Sequence, residues 1–168
     1  MPVTGTAILS LTLSHFRSYH RAKIETGGQS VALHGPNGAG KTNILEAVSM
    51  LSPGRGLRRA ATEDIARRPE ALGWKVSAEV EAAGHIHEIE TRSESGASRT
   101  VRIGDKPVPQ VALGRLLRVL WLVPAMDRLW TEGAGERRRF LSDSDGPCGP
   151  IFAAGLDLVN MACGFHFG

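Results

Sequence analysis

Apolar and polar residues alternate along several segments of this chain, and alternation is the pattern of a strand that is buried on one face. The alternating segments are Ala7–Leu13, Trp74–Val80, Ile86–Thr91 and Ser98–Ile103. Between the first and second of them, Thr42–Leu51 has its apolar residues at helical spacing. The pattern therefore predicts strands on both sides of one amphipathic helix.

Shorter patterns complete the prediction. Further strands are expected at Ala22–Glu25, Gln29–His34, Lys106–Val108 and Arg118–Val123, and a second helix at Gln110–Leu117. Turns are expected at Gly27-Gly28, Ala83-Gly84 and Gly104-Asp105, where glycine favours a reversal of the chain. We therefore expect an α/β fold in which an antiparallel meander of strands is inserted after the first helix.

Composition limits the class of protein. The chain has 168 residues, of which 42% are hydrophobic and 22% are charged, as in an ordinary globular domain. No apolar run is long enough to span a membrane, and the N-terminus lacks the pattern of a secretory signal. The two cysteines, Cys148 and Cys163, do not form a zinc-like pair. We therefore expect a cytoplasmic protein with no membrane partner.

Charge is distributed unevenly. Residues 1–141 hold all twenty Lys and Arg against fourteen Asp and Glu, a balance of +6, whereas residues 142–168 hold three Asp and a balance of −3. A moderately basic segment permits a polyanionic partner. The candidates for contact with DNA are Arg55, Arg58 and Arg59, followed by Arg67, Arg68 and Arg137–Arg139. The alternative is an ordinary solvated surface, because runs of charge are usually exposed faces.

The residues from Gly35 to Thr42 form a complete phosphate loop of the G-x-x-x-x-G-K-[ST] type. Its members are Gly35, Pro36, Asn37, Gly38, Ala39, Gly40, Lys41 and Thr42. The glycines allow backbone N–H groups to converge on an anion. Lys41 is placed to reach the β- and γ-phosphates of ATP, and the Thr42 hydroxyl is placed to bind Mg²⁺. The alternative is a glycine-rich turn with a chance lysine.

Five motifs in order resemble the RecF family of DNA replication and repair proteins, which are relatives of the ABC-type ATPase heads of structural-maintenance proteins. They are Phe16–Tyr19, Gly35–Ala47, Leu51–Leu57, Trp121–Leu129 and Glu136–Leu141. The resemblance implies that residues 1–141 form the ATP-binding lobe I of such a head, a P-loop NTPase fold with ATP and Mg²⁺ as cofactors. It also implies that Arg17 lies near the nucleotide. The implied partners are double-stranded or gapped DNA, with single-stranded DNA as a further option, and recombination-mediator proteins.

The chain departs from the family after Leu141. No strand ending in paired acidic residues follows the phosphate loop, so the Walker B and signature motifs are absent from this sequence. Residues 142–168 are predicted to be an atypical tail that is not native to the family, produced by truncation or a frameshift. No catalytic residue is assigned. The alternatives are a non-functional nucleotide-binding remnant and another P-loop enzyme, such as a small kinase.

Overall fold

The computed structural model describes residues 5–122 and 151–154. The strands are β1 (Ala7–Phe16), β2 (Tyr19–Glu25), β3 (Gly73–Ala82), β4 (His85–Glu94), β5 (Thr100–Ile103), β6 (Lys106–Val108), β7 (Val119–Leu122) and β8 (Ile151–Ala154). The helices are α1 (Lys41–Ser49), α2 (Thr62–Ile65) and α3 (Leu113–Leu116), and one turn of 3-10 helix at Gln110–Ala112 precedes α3. No helix in these two segments is long and apolar enough to cross a bilayer.

Six of the strands form one antiparallel sheet in the order β2-β1-β3-β4-β5-β6. The predicted meander after the first helix is confirmed, since β3 to β6 follow one another along the chain and across the sheet. Its first strand also pairs with β1, so that the meander extends the N-terminal hairpin instead of forming a separate sheet. Between β3 and β4, Ala83 and Gly84 both have positive φ values, 52° and 77°, as a tight two-residue hairpin turn requires.

The alternation read from the sequence sorts the side chains of this sheet onto two faces. On β3, Trp74, Val76, Ala78, Val80 and Ala82 are buried, and the residues between them are more exposed. The apolar face joins a single core with β1 and with the buried residues Leu45, Ala47, Met50 and Leu51 of α1 and its end. The helix that follows the phosphate loop is therefore anchored to the middle strands of the sheet.

The expected strand over Gln29–His34 is wrong, since this segment has no strand structure. Its apolar alternation is real, with Val31 and Leu33 partly buried and Ala32 and His34 exposed. A strand, however, is defined by hydrogen bonds to a neighbour, and within the described residues no strand pairs with this segment. Periodicity alone does not supply that partner.

The segment from 110 to 122 differs in part from expectation. The single helix predicted over Gln110–Leu117 is divided into the 3-10 turn and the short α3, with Gly114 approaching Pro53 so closely that an added Cβ would lie 3.3 Å from its Cγ. The predicted strand is confirmed as β7, which pairs in parallel with β8. Apart from β8, the predicted tail of residues 142–168 lies outside the described residues, and its assignment stays a prediction.

Replacing the fully buried Leu13 by alanine is expected to lower the free energy of unfolding by about 2–5 kcal/mol, because a cavity is left between the sheet and α1. Urea unfolding followed by circular dichroism measures the change. Its neighbour Thr12 lies on the opposite face of β1, so Thr12→Ala serves as the control and should have little effect. Equal losses from both variants would contradict the assignment of the two faces.

Candidate nucleotide-binding site

The backbone of the phosphate loop adopts the glycine conformations that the motif requires. Gly35, Gly38 and Gly40 have φ values of 148°, 84° and 94°, all in the region that L side chains rarely occupy. Gly40 immediately precedes α1, and no side chain caps its first turn. Uncapped N–H groups at a helix N-terminus carry partial positive charge and bind anions. The loop therefore presents amide groups suited to a phosphate.

The two functional side chains of the motif lie at the start of α1. Lys41 donates from Nζ to the carbonyl oxygens of Gly35 and Pro36 at 2.6 and 2.9 Å. These bonds fold the ammonium group across the loop, so that its charge lies above the glycine backbone. Thr42 is the second residue of α1 and is exposed. The structure thus places the predicted Lys and Thr at one end of one helix, next to the loop.

The turn between β1 and β2 supports the loop from the side. Asn43 donates from Nδ2 to Ser18 Oγ at 2.9 Å, and the Tyr19 hydroxyl donates to the carbonyl oxygen of Ala39 at 3.4 Å. A Cβ on Gly40 would lie 2.6 Å from the Tyr19 hydroxyl, which is closer than real contacts allow. Burial raises the pKa of the Tyr19 phenol. Gly40 is therefore required by both its backbone conformation and its neighbour.

A buried carboxylate joins the loop helix to two arginines. The Glu46 side chain on α1 is only 2% exposed. Arg17 donates to both of its oxygens, from Nε at 2.8 Å and from Nη2 at 2.7 Å. Arg58 donates from Nη1 to the same carboxylate and to Asn43 Oδ1, both at 2.9 Å. Two guanidinium groups against one carboxylate leave one net positive charge beside the loop.

Arg17 lies beside α1, and its contacts within the chain explain how it is held, whereas its expected place near the nucleotide stays a prediction. It occupies the two-residue turn between β1 and β2 with a φ of 53°, and its Nη1 also donates to the carbonyl oxygen of Asp64 at 2.7 Å. A guanidinium has five N–H donors, so two remain for a ligand. The group is therefore oriented by Glu46 and still able to bind an anion.

An open cavity of about 600 Å³ adjoins this cluster. It is lined by Arg17, Ser18, Asn43, Arg58, Asp64 and Arg68, with two alanines. Most of these side chains can donate hydrogen bonds, and one of them, Asn43, directly follows Thr42 on α1. The cavity is thus polar, positively charged and contiguous with the helix that begins at the phosphate loop.

The other predicted arginines have different surroundings. Arg55 and Arg59 are exposed, and no ion pair holds either of them within the described residues. Arg67 pairs with Glu70, and Arg68 pairs with Asp64 at 3.2 Å. The candidates Arg137–Arg139 lie outside the described residues. Of the three arginines predicted first for DNA, only Arg58 is bound to a carboxylate.

Sequence reasoning missed Glu46, Asn43, Ser18 and Tyr19 as members of this site. A signal was present for Glu46, because a charged residue among the apolar positions of a short helix needs a buried partner. Identifying that partner requires the fold, since Arg17 is 29 residues away along the chain.

Removing the Glu46 carboxylate is expected to destabilise the chain, because Arg17 and Arg58 would keep their charges without a partner. We expect Glu46→Ala to cost about 2–3 kcal/mol of unfolding free energy, below the 3–5 kcal/mol typical of fully buried pairs, since the Arg58 side chain is 40% exposed. Urea unfolding measures it. Glu70→Ala, which breaks an ion pair between more exposed side chains, is the matched control and should change little. An unaltered midpoint in Glu46→Ala would refute the network as a stabilising feature.

Comparison with known proteins identifies related chains. The family described as RecF/RecN/SMC N terminal domain matches residues 7–122. The DNA replication and repair protein RecF of Caulobacter vibrioides is 52% identical over 145 residues, covering 82% of this chain and 38% of that protein. RecF of Allorhizobium ampelinum is 49% identical over 140 residues, covering 81% and 37%. This chain therefore spans less than two fifths of the length of these curated relatives.

Solved structures share the fold. A structure described as the recombination mediator protein RecF with ATP in the RecFOR pathway matches with a TM-score of 0.68 at 22% identity, covering 84% of this chain and 40% of that one. A structure from work on ATP-driven dimerization and DNA-stimulated activation of SMC ATPases matches with a TM-score of 0.66 at 18% identity, covering 83% and 99%. The predicted fold, lobe I of an ABC-type ATPase head, is thereby confirmed. Because the match to the family runs through the hairpin, the phosphate loop and the whole meander, this chain belongs to the RecF/RecN/SMC N terminal domain family.

Proposed function

We propose that this chain is the ATP-binding lobe of a RecF-like DNA replication and repair protein that contacts DNA in an ATP-dependent way. The observation that carries the proposal is the phosphate loop with three left-handed glycines leading directly into the uncapped start of α1. A small kinase is disfavoured, because the strands after the loop helix form an antiparallel meander. The proposed location is the cytoplasm, with recombination-mediator proteins as partners.

The polyphosphate of ATP fits this site by charge and by geometry. The loop amides and the helix N-terminus favour anionic oxygens. Lys41 supplies a point charge, and Arg17, which has two N–H groups unused, lines the adjoining cavity. The cavity leaves room for the remainder of a nucleotide beside Asn43. The phosphate loop and Arg17 therefore form one continuous electropositive binding surface.

Mg²⁺ is the expected cofactor, and Thr42, which is exposed, would hold the ion through its hydroxyl. When bound with ATP, the ion supplies charge neutralisation for the phosphates. Within residues 5–122 and 151–154, no group of three or more His, Cys, Asp or Glu side chains is arranged to hold a metal ion. Among the described residues, Thr42 is therefore the side chain proposed to hold the ion together with the phosphates.

Hydrolysis requires a carboxylate that positions the attacking water. The Glu46 carboxylate on α1 is buried and already occupied by Arg17 and Arg58. We therefore propose that this chain by itself binds ATP without appreciable turnover. The alternative of a non-functional nucleotide-binding remnant would bind nucleotide as well, so contact with DNA that depends on ATP is the property that separates it from the proposal.

Lys41→Ala is expected to weaken binding of a non-hydrolysable ATP analogue with Mg²⁺ by about 10- to 100-fold, the worth of a hydrogen bond to a charged group. Isothermal titration calorimetry measures the affinity. Lys75→Ala, on β3, removes an equal charge from the exposed side of the sheet and should leave the affinity unchanged. Identical affinities for the parent chain and Lys41→Ala would refute the proposed site, and ATPase activity that Lys41→Ala abolishes would refute binding without turnover.

Contact with DNA is proposed for the arginine loop, defined as residues 52–59. Its three arginines are all exposed, but Arg58 is bound to Glu46, whereas no ion pair holds Arg55 or Arg59 within the described residues. The opposite face of the sheet is a poorer candidate. The groove on that face has five carboxylates against three basic side chains, and the carboxylates are those of Glu25, Glu79, Glu88, Glu90 and Asp105. A phosphate backbone would be repelled there.

Replacing Arg55 and Arg59 together by alanine is expected to reduce the slope of log affinity against log salt for double-stranded DNA by about two, because each phosphate contact contributes about 0.9. Fluorescence anisotropy in the presence of the ATP analogue measures the slope. The matched control is the double variant Arg92→Ala/Arg102→Ala, which removes two basic side chains from the acidic groove. A slope unaffected by the first pair, or equally affected by both, would contradict the proposed contact.

A further inference from the structure

Arg99 is a buried cation with no acidic partner within the described residues. It is 8% exposed and lies just before β5. Its guanidinium donates from Nε to Thr91 Oγ1 at 2.7 Å, and from its other nitrogens to the side chain of Gln110 and to three backbone carbonyls. Burial lowers its pKa to about 10, so the group stays charged at neutral pH.

The three carbonyl groups belong to the end of α1 and to the start of the arginine loop. Arg99 donates from Nη2 to Met50 and, at 3.2 Å, to Ser52, and from Nη1 to Gly54 at 2.7 Å. The C-terminal end of a helix carries partial negative charge, which favours a cation there. One side chain from the meander thus determines the path that the chain takes as it leaves α1.

The arginine loop is held at its other side as well. The Leu57 amide donates to Ser49 Oγ at 2.7 Å, and Gly56, with a φ of 70°, lies so close to Met50 that a Cβ there would be 2.5 Å from Sδ. Arg58 follows directly, and its Nη1 bonds to Asn43 and Glu46. The arginine loop is therefore held at one end by Arg99, through the carbonyls of Met50, Ser52 and Gly54, and it leads at the other end to Arg58, which bonds to Glu46.

We propose that Arg99 is a positioning residue for the nucleotide site, which acts through the arginine loop by fixing where Arg58 meets Asn43 and Glu46. The inference rests on the proposed function, because it assigns to the meander a part in binding ATP. Thr91 and Arg99 belong to the meander, whereas Met50 and Arg58 belong to the helix and its loop. Arg99 thereby couples the inserted strands to the site.

The shape of the guanidinium makes this role testable. Its planar fork reaches five acceptors at once, whereas the single ammonium of a lysine, although charged, has only three donors on one atom. Arg99→Lys therefore keeps the charge but cannot hold the carbonyls of Met50, Ser52 and Gly54 together. Arg102→Lys, on the neighbouring β5, is the matched control, since among the described residues the Arg102 side chain donates to a single carbonyl, that of Asp105 in a turn.

The first measurement is the affinity for the ATP analogue with Mg²⁺ in a double-mutant cycle. Arg99→Lys is expected to weaken binding about tenfold, within the range seen for coupled distant residues, and Arg102→Lys to have no effect. In an Arg58→Ala background Arg99→Lys should cause no further loss of affinity, because the side chain through which Arg99 acts on the site is already missing. A merely structural arginine would show the same loss in both backgrounds, which would overturn the proposal.

The second measurement does not depend on nucleotide. Hydrogen exchange of backbone amides in residues 52–58 should accelerate in Arg99→Lys and stay unchanged in Arg102→Lys, under conditions where urea unfolding shows both variants to be folded. Unchanged exchange in the loop would overturn the inference on its own. If the parent chain fails to bind ATP while exchange accelerates, the proposed function falls and the control of the loop by Arg99 stands. If the parent binds through Lys41 but the Arg99 variant matches it, the inference alone fails.

Discussion

The contact on which the site depends is that of one carboxylate with two guanidinium groups inside the protein. Glu46 is fixed on α1, while Arg17 comes from the first hairpin and Arg58 from the arginine loop. A carboxylate that is removed from water needs partners of opposite charge and saturated hydrogen bonds. Glu46 accepts three such bonds, so the first hairpin and the arginine loop meet at the helix that follows the phosphate loop. The helix supplies both the binding amides and the anchor that arranges their surroundings.

Local patterns predicted most of the fold, because local patterns encode which face of an element is buried. The alternation on β3 and the glycines of the phosphate loop are properties of adjacent residues, and the structure has them in the expected places. The strand expected at 29–34 failed for the opposite reason, since a strand depends on a neighbour that its own residues do not specify. The ion pairs of Glu46 were beyond prediction in the same way, because only the folded chain brings Arg17 to α1.

The number of arginines in the chain overstates how many are available to contact DNA. Arg17, Arg58 and Arg99 are all engaged in contacts within the protein, where they hold a carboxylate or the carbonyl groups at the end of a helix. Such arginines raise the net charge, but their guanidinium groups are already engaged inside the protein. Within the part of the chain that the structure describes, Arg55 and Arg59 differ from them, since both are exposed and neither forms an ion pair.

The tight approach of Tyr19 to Gly40 makes the shape of the phosphate loop depend on the first hairpin. The tyrosine reaches the loop only after β1 and β2 have paired, since the turn at Arg17 and Ser18 sets where its ring lies. Pairing of neighbouring strands is a local event and is fast compared with closing a long segment. The surface that Ser18 and Tyr19 present to Gly40 is therefore built from residues that precede the loop along the chain.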